Sequence, residues 1–142
     1  MRKIMAQSPE RLRASIAVEN QLREERFWEF VNRVGWHALR RGQAQTPGDS
    51  VIIGIAIWSK PDVDGLKKLA HAHTPSPTTV YVFSIDETPT IEEVRQLMPG
   101  VPPFTQTPIV AEYRQNRLLT FKEGRTALEW LNRQDISDTD VA

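Results

Sequence analysis

The chemistry open to this chain is set first by what it lacks. Its 142 residues include no cysteine. Disulfides, thiol nucleophiles and thiolate metal sites are excluded together. The strongest polar constellation is Ser59-Lys60-Pro61-Asp62, where an apolar run gives way to a helical pattern. Serine followed three residues later by an acid has the form of a capping box, in which the two side chains satisfy backbone amides of a helix's first turn. Pro61 suits that turn, where no amide hydrogen is needed, and Asp62 and Asp64 suit the positive end of the helix dipole. The sharper alternative makes Ser59 a hydroxyl that hydrogen-bonds a bound thiolate. The cap is the simpler of the two.

The remaining candidates carry less. His71 and His73 are two residues apart, so on a helix they point in different directions, and no third ligand stands near them. His37 falls in an apolar helical pattern beside Trp36. Glu24-Glu25 and Glu92-Glu93 fit solvated helix faces. Gly42, Gly48 and Gly54 are too scattered for a phosphate-binding loop. Arg40-Arg41 and Lys67-Lys68 are too small for a nucleic-acid footprint. The 18 basic and 18 acidic residues balance, which removes any global attraction to nucleic acid or to a membrane surface. Of the four tryptophans, Trp130 belongs to the core of a last helix and Trp58 stands half-exposed beside Ser59. Trp28 and Trp36 belong to a first helix. There they widen a buried face or mark a contact surface, because tryptophan is enriched at interface hot spots.

The elements that must position these residues follow from periodicity. Residues 8–41 have helical spacing, with Ser8 as N-cap, Pro9 at the first position and a break near Gly35. Leu12, Ile16, Val18 and Leu22 make a thin stripe in a charged segment, and Phe27, Phe30, Val31 and Val34 continue it as a core face. Val51–Trp58 and Val80–Ile85 are continuous apolar runs of strand length, the pattern of strands buried on both faces. A helix over Asp62–His73 connects them, and a short one covers Ile91–Met98. Pro99–Pro108 is a proline-rich connection. Ile109–Tyr113 and Arg117–Phe121 form a hairpin, and Arg125–Arg133 is the last helix. The closing acidic stretch is expected to be loose. The first two strands are parallel through a crossover and the last two antiparallel, which gives an α/β fold with helices on both faces of a mixed sheet.

Four stretches in this order resemble the thioredoxin family. Val51–Asp62 is similar to the central strand running into the redox motif, with Pro61 at the middle proline. Val82–Thr90, "VFSIDETPT", is similar to the next strand and turn. Thr107-Pro108 before "IVAEY" looks like the threonine and cis-proline that face the active site. "RQNRLLTFKEG" before "ALEWL" looks like the closing hairpin, glycine and helix. The resemblance covers roughly Phe27 to Arg133. It implies a three-layer thioredoxin-like fold with a cis Thr107–Pro108 bond. In that family the backbone beside the proline pairs with an extended peptide. The departures are equally specific. Ser59 and Asp62 stand where the two cysteines would be, and neither can act as the thiolate of disulfide exchange. Ile53 falls where redox-active members carry a buried acid.

The expected organisation is an N-terminal helical arm over 1–26, a thioredoxin-like domain over 27–134 and an acidic tail over 135–142. The expected function is a non-enzymatic, protein-binding one: a redox-inactive assembly chaperone, adaptor or linker subunit of a larger complex. A glutathione-binding enzyme using Ser59 and Thr107, and a purely structural subunit, are the alternatives. The contact residues expected for a protein partner are Leu12, Ile16, Leu22, Trp28, Trp36, Trp58, Lys60, Thr107 and Pro108. No cofactor, metal, nucleic acid or membrane insertion is expected. The opening "MRKIMAQSPERLR" has no long apolar run, and a cytoplasmic location is expected.

Overall fold

A computed structural model describes the backbone over residues 9–43, 47–71 and 79–140, and the side chains of those between 18 and 133 except residue 20. The expected N-cap Ser8 and His73 lie outside the described residues, as do the side chains of Leu12 and Ile16. The chain runs α1 (Pro9–Arg33), β1 (His37–Ala38), β2 (Ser50–Ile55), α2 (Lys60–His71) and β3 (Thr79–Ser84). A single 3-10 turn (Ile85–Glu87), α3 (Ile91–Leu97), β4 (Ile109–Arg114), β5 (Arg117–Glu123) and α4 (Gly124–Asp140) complete it. The five strands form one mixed sheet in the order β1-β3-β2-β4-β5. β1, β3 and β2 are parallel, β4 pairs antiparallel to β2, and β5 pairs antiparallel to β4.

Each residue of β2 is buried, and its side chains alternate between two cores. Val51, Ile53 and Ile55 point to the side covered by α1, α2 and α4, where they meet Phe27, Leu66 and Leu131. Ile52 points to the opposite side, among Phe83, Val94, Leu97 and Ile109, under α3. Gly54 also belongs to that second face. A β-carbon there would lie 2.6 Å from Cζ of Phe83 and 2.9 Å from Cγ1 of Ile109, so the Phe83 ring fills the space a side chain would need. Gly65 plays the same part between helices, since a β-carbon on it would meet Leu131 Cδ1 at 2.9 Å.

The first helix is shorter than its periodicity suggests. It stops at Arg33 rather than near residue 41. Gly35 adopts φ +86°, and the amides of Gly35 and Trp36 donate back to Asn32 and Val31 at 3.1 Å each. That is a Schellman motif, and the Trp36 ring closes it edge-on against Phe30 at 5.9 Å. Beyond it the chain is extended. His37 is therefore not in a helix but on the edge strand β1, with its ring 5.4 Å from that of Tyr81. The last helix is longer than expected. It includes residues 135–140, part of the stretch expected to be a loose tail, because neither glycine nor proline interrupts it after Gly124. The hairpin turns at Gln115 and Asn116, both at positive φ, as a two-residue turn requires.

Candidate functional site at the Trp58 turn

The site begins where β2 ends. Its pairing with β4 runs to Gly54 opposite Ile109. The ladder does not continue to Ala56. The amide of Ala56 is satisfied instead by a side chain. Oδ2 of Asp62 accepts from it at 3.0 Å, and Oδ1 of Asp62 accepts the Ser59 hydroxyl at 3.1 Å. The Ser59 amide donates to the Ala56 carbonyl at 3.0 Å, and the Ser59 carbonyl accepts the first helical bond from Val63 at 3.1 Å. Asp62 is only 1% exposed.

This differs from the expected capping box. The acid reaches past Ser59 to the last residues of the strand, and the serine donates rather than accepts. The reason is topological. The strand end leaves one buried N–H unpaired, and leaving it so would cost about 1–3 kcal/mol. The reciprocal box forms at α3 instead, where Thr90 Oγ1 accepts from the Glu93 amide and Glu93 Oε1 accepts from the Thr90 amide, both at 3.2 Å.

Trp58 sits on top of this turn and is 68% exposed. Its indole N–H donates to Asp86 Oδ1 at 3.3 Å, which ties it to the 3-10 turn after β3. Ser84 holds that turn through its own hydroxyl, which accepts from the Asp86 amide at 3.2 Å. On one side of Trp58 a groove of about 750 Å³ opens between α1 and α2. Its apolar lining is Leu22, Phe27 and Phe30 from α1, Ile57 and Trp58 from the turn, and Val63 from α2. Lys60 and Asp64 pair across one turn of α2 at 2.8 Å, and that hydrogen bond holds Asp64 below the usual carboxylate range and Lys60 above its own. On the other side lies a smaller hollow bounded by Arg23, Glu24 and Asp86.

The structure thus brings Leu22, Trp58 and Lys60 together at one groove. The Thr107–Pro108 bond is cis, and the register places it at the same end of the sheet. Pro108 is buried, and its carbonyl accepts from the Gly124 amide at 2.9 Å. Trp28 and Trp36 are not part of this surface. Both are partly buried against the core under α1. Trp28 packs edge-on to Phe27 at 4.8 Å, with the Arg40 guanidinium 4.8 Å over its face, and Arg40 is itself paired with Glu87.

Two contributors escaped the sequence reading. Asp86 lies 28 residues from the indole it holds, and no local pattern announces such a contact. Phe30 carried a signal, since it shares a helical face with Leu22 and Arg26, but it was assigned to the core alone. Among the described residues, no group of three or more His, Asp or Glu could hold a metal ion, and no helix is long and apolar enough to cross a membrane. No family model matches the chain, and no curated protein matches it closely enough to count as a relative.

Proposed function

We propose that this chain is a thioredoxin-like, redox-inactive protein-binding module, an assembly chaperone, adaptor or linker subunit without enzymatic chemistry of its own. One observation carries the reading. At the two positions where the resemblance calls for cysteines, Ser59 and Asp62 are joined to each other and to the Ala56 amide, and Asp62 is sealed from solvent. The polar groups of the turn hold the fold. What the turn offers to solvent is the ring of Trp58 beside an apolar groove, and an exposed tryptophan of this kind is a typical interface anchor. The parallel-then-antiparallel order of the sheet supports the thioredoxin-like assignment. A glutathione site would need the Ser59 hydroxyl directed at a thiolate, whereas it is directed at Asp62.

The test is affinity capture from the source cell's lysate with the full chain and with Trp58→Ala as paired baits. A partner held by the first and depleted about tenfold with the second, one decade of affinity, supports the reading. Equal recovery overturns it. Insulin reduction with a dithiol donor is expected to run at the protein-free rate. A permanent subunit will co-purify with its partner at fixed stoichiometry, and a chaperone will be absent from the finished complex.

A further inference from the structure

Among the described residues five large apolar side chains are exposed: Val18, Leu22, Val34, Trp58 and Leu119. Two of them, Leu22 and Trp58, line the same groove. The walls of that groove are two helix faces. On α1 the lining positions are 19, 22, 23, 26, 27 and 30, and on α2 they are 60, 63, 64 and 67. Both sets recur every three or four residues, so each is one continuous stripe. The α1 stripe runs from Glu19 to Phe30, roughly 16 Å or three turns at about 1.5 Å per residue. A trough of that length between two helix ridges fits a third helix, packed by its own ridge.

The charge around the trough is uneven. The chain as a whole is neutral, yet the groove carries Arg23, Arg26, Lys60 and Lys67 against Glu19 and Asp64, which is four positive charges to two negative. Lys60 and Asp64 neutralise each other. Arg26 and Lys67, one on each wall, are both exposed. Arg23 also lines the hollow beyond Trp58, with the acids Glu24 and Asp86, so the positive excess of the trough itself rests on Arg26 and Lys67.

We propose that this groove receives an amphipathic α-helix of a partner protein. Its apolar stripe packs on Leu22, Phe30, Trp58 and Val63, and acidic residues flanking that stripe face Arg26 and Lys67. The inference rests on the protein-binding reading above and names the kind of partner for that site.

The test uses the full chain and two fluorescein-labelled, hydrocarbon-stapled model helices of about 14 residues, roughly four turns. Both carry leucines at helical spacing, flanked by glutamates in one and by lysines in the other. Fluorescence anisotropy is expected to show the glutamate helix binding about tenfold more tightly than the lysine helix, a difference of one decade in Kd. The preference should shrink in high salt, as exposed charges are screened. Arg26→Glu with Lys67→Glu should abolish or reverse the preference while leaving the melting temperature unchanged, because both side chains are exposed. Leu22→Ala should weaken both helices.

Equal binding, tighter binding of the lysine helix, or indifference to the charge reversal overturns the proposal. So does displacement of the probe by anionic phosphatidylserine vesicles, which would assign the groove to a lipid surface. Self-association in sedimentation velocity that the charge reversal abolishes would assign it to a second copy. The two readings fail separately. If the helices do not discriminate but Trp58→Ala still loses the captured partner, the partner's proposed chemistry is wrong and the docking role stands. If capture survives Trp58→Ala, the docking role itself is wrong.

Discussion

Replacing Asp62 gives the sharpest test of how the turn is built. In Asp62→Ala the Ala56 amide loses its acceptor at 3.0 Å and stays buried, since Ala56 is 2% exposed. An orphaned buried N–H costs about 1–3 kcal/mol, and the lost acceptor was a carboxylate, so the expected loss is about 2–3 kcal/mol. The Ser59 hydroxyl is half-buried and adds little once it can turn to water. For a chain of this length 1 kcal/mol moves the melting temperature by about 3 °C, so the midpoint should fall by about 6–9 °C. Asp62→Asn keeps a carbonyl oxygen for the amide, loses the charge, and turns an NH2 toward Ser59, whose hydroxyl must then accept rather than donate. It should cost about 1 kcal/mol, or about 3 °C.

Thermal and urea unfolding of the two variants, with native-state amide exchange at Ala56, read these effects directly. The Ala56 amide should stay protected in Asp62→Asn and exchange faster in Asp62→Ala. A double-mutant cycle adds an internal control. Ser59→Ala alone should cost about 1 kcal/mol, and almost nothing once Asp62 is alanine, because its acceptor is already gone. Equal losses for alanine and asparagine would refute the bond to Ala56. Additive losses in the cycle would refute the bond to Ser59.

Gly54→Ala should cost about 1–3 kcal/mol by forcing the Phe83 ring and Ile109 apart, measurable as a lower urea midpoint at unchanged slope; a loss below about 0.5 kcal/mol, within the range of neutral surface changes, would contradict the packing. Burial pushes the Tyr113 phenol up from its ordinary value, so the native state holds the neutral form, and stability present below about pH 10 is lost as pH rises beyond it. Tyr113→Phe should be less stable at neutral pH by about 0.5–1.5 kcal/mol, having lost the 2.6 Å bond to the Pro99 carbonyl. It should also show a flatter decline in alkali; parallel pH–stability curves for the two proteins would refute this. Trp58→Ala should change stability by less than about 0.5 kcal/mol. It should also shift the remaining fluorescence to shorter wavelength, because it removes the most exposed indole; an unchanged emission maximum would mean that Trp58 is covered in solution.

The parts of the fold that were legible in the sequence are those decided locally. Val51–Trp58 reads as a buried strand because both faces of β2 meet a core, although the strand itself ends at Ile55, and the hairpin reads because β4 and β5 flank a turn of Gln115 and Asn116. β1 was not legible. Two residues carry no period, and His37-Ala38 is a strand only because β3 lies beside it. Ser59-Lys60-Pro61-Asp62 was legible as a helix start but not in its bonding, since a capping acid and an acid that serves a strand end have the same sequence pattern. The difference lies in whether the Ala56 amide finds an acceptor across the sheet, and the pairing with β4 stops short of it, at Gly54 opposite Ile109.

The first helix shows the same limit and gives the groove its meaning. Taken alone, the stretch from Val18 to Arg26 is a poor helix. Its described side chains are all exposed, and nucleating a short isolated helix in water is costly. On its own it would need a partner to order it. In the folded chain it is continuous with Phe27 and Val31, which are fixed in the core. Nucleation has already occurred there, and each further residue toward the N-terminus adds only a propagation step, which is close to neutral for leucine, glutamate, glutamine and arginine. The exposed turns therefore need no partner to form. The wall carrying Leu22 and Arg26 is in place before anything binds, and an incoming helix does not have to organise it. Preorganisation of this kind lowers the cost of association and makes a groove of modest area useful.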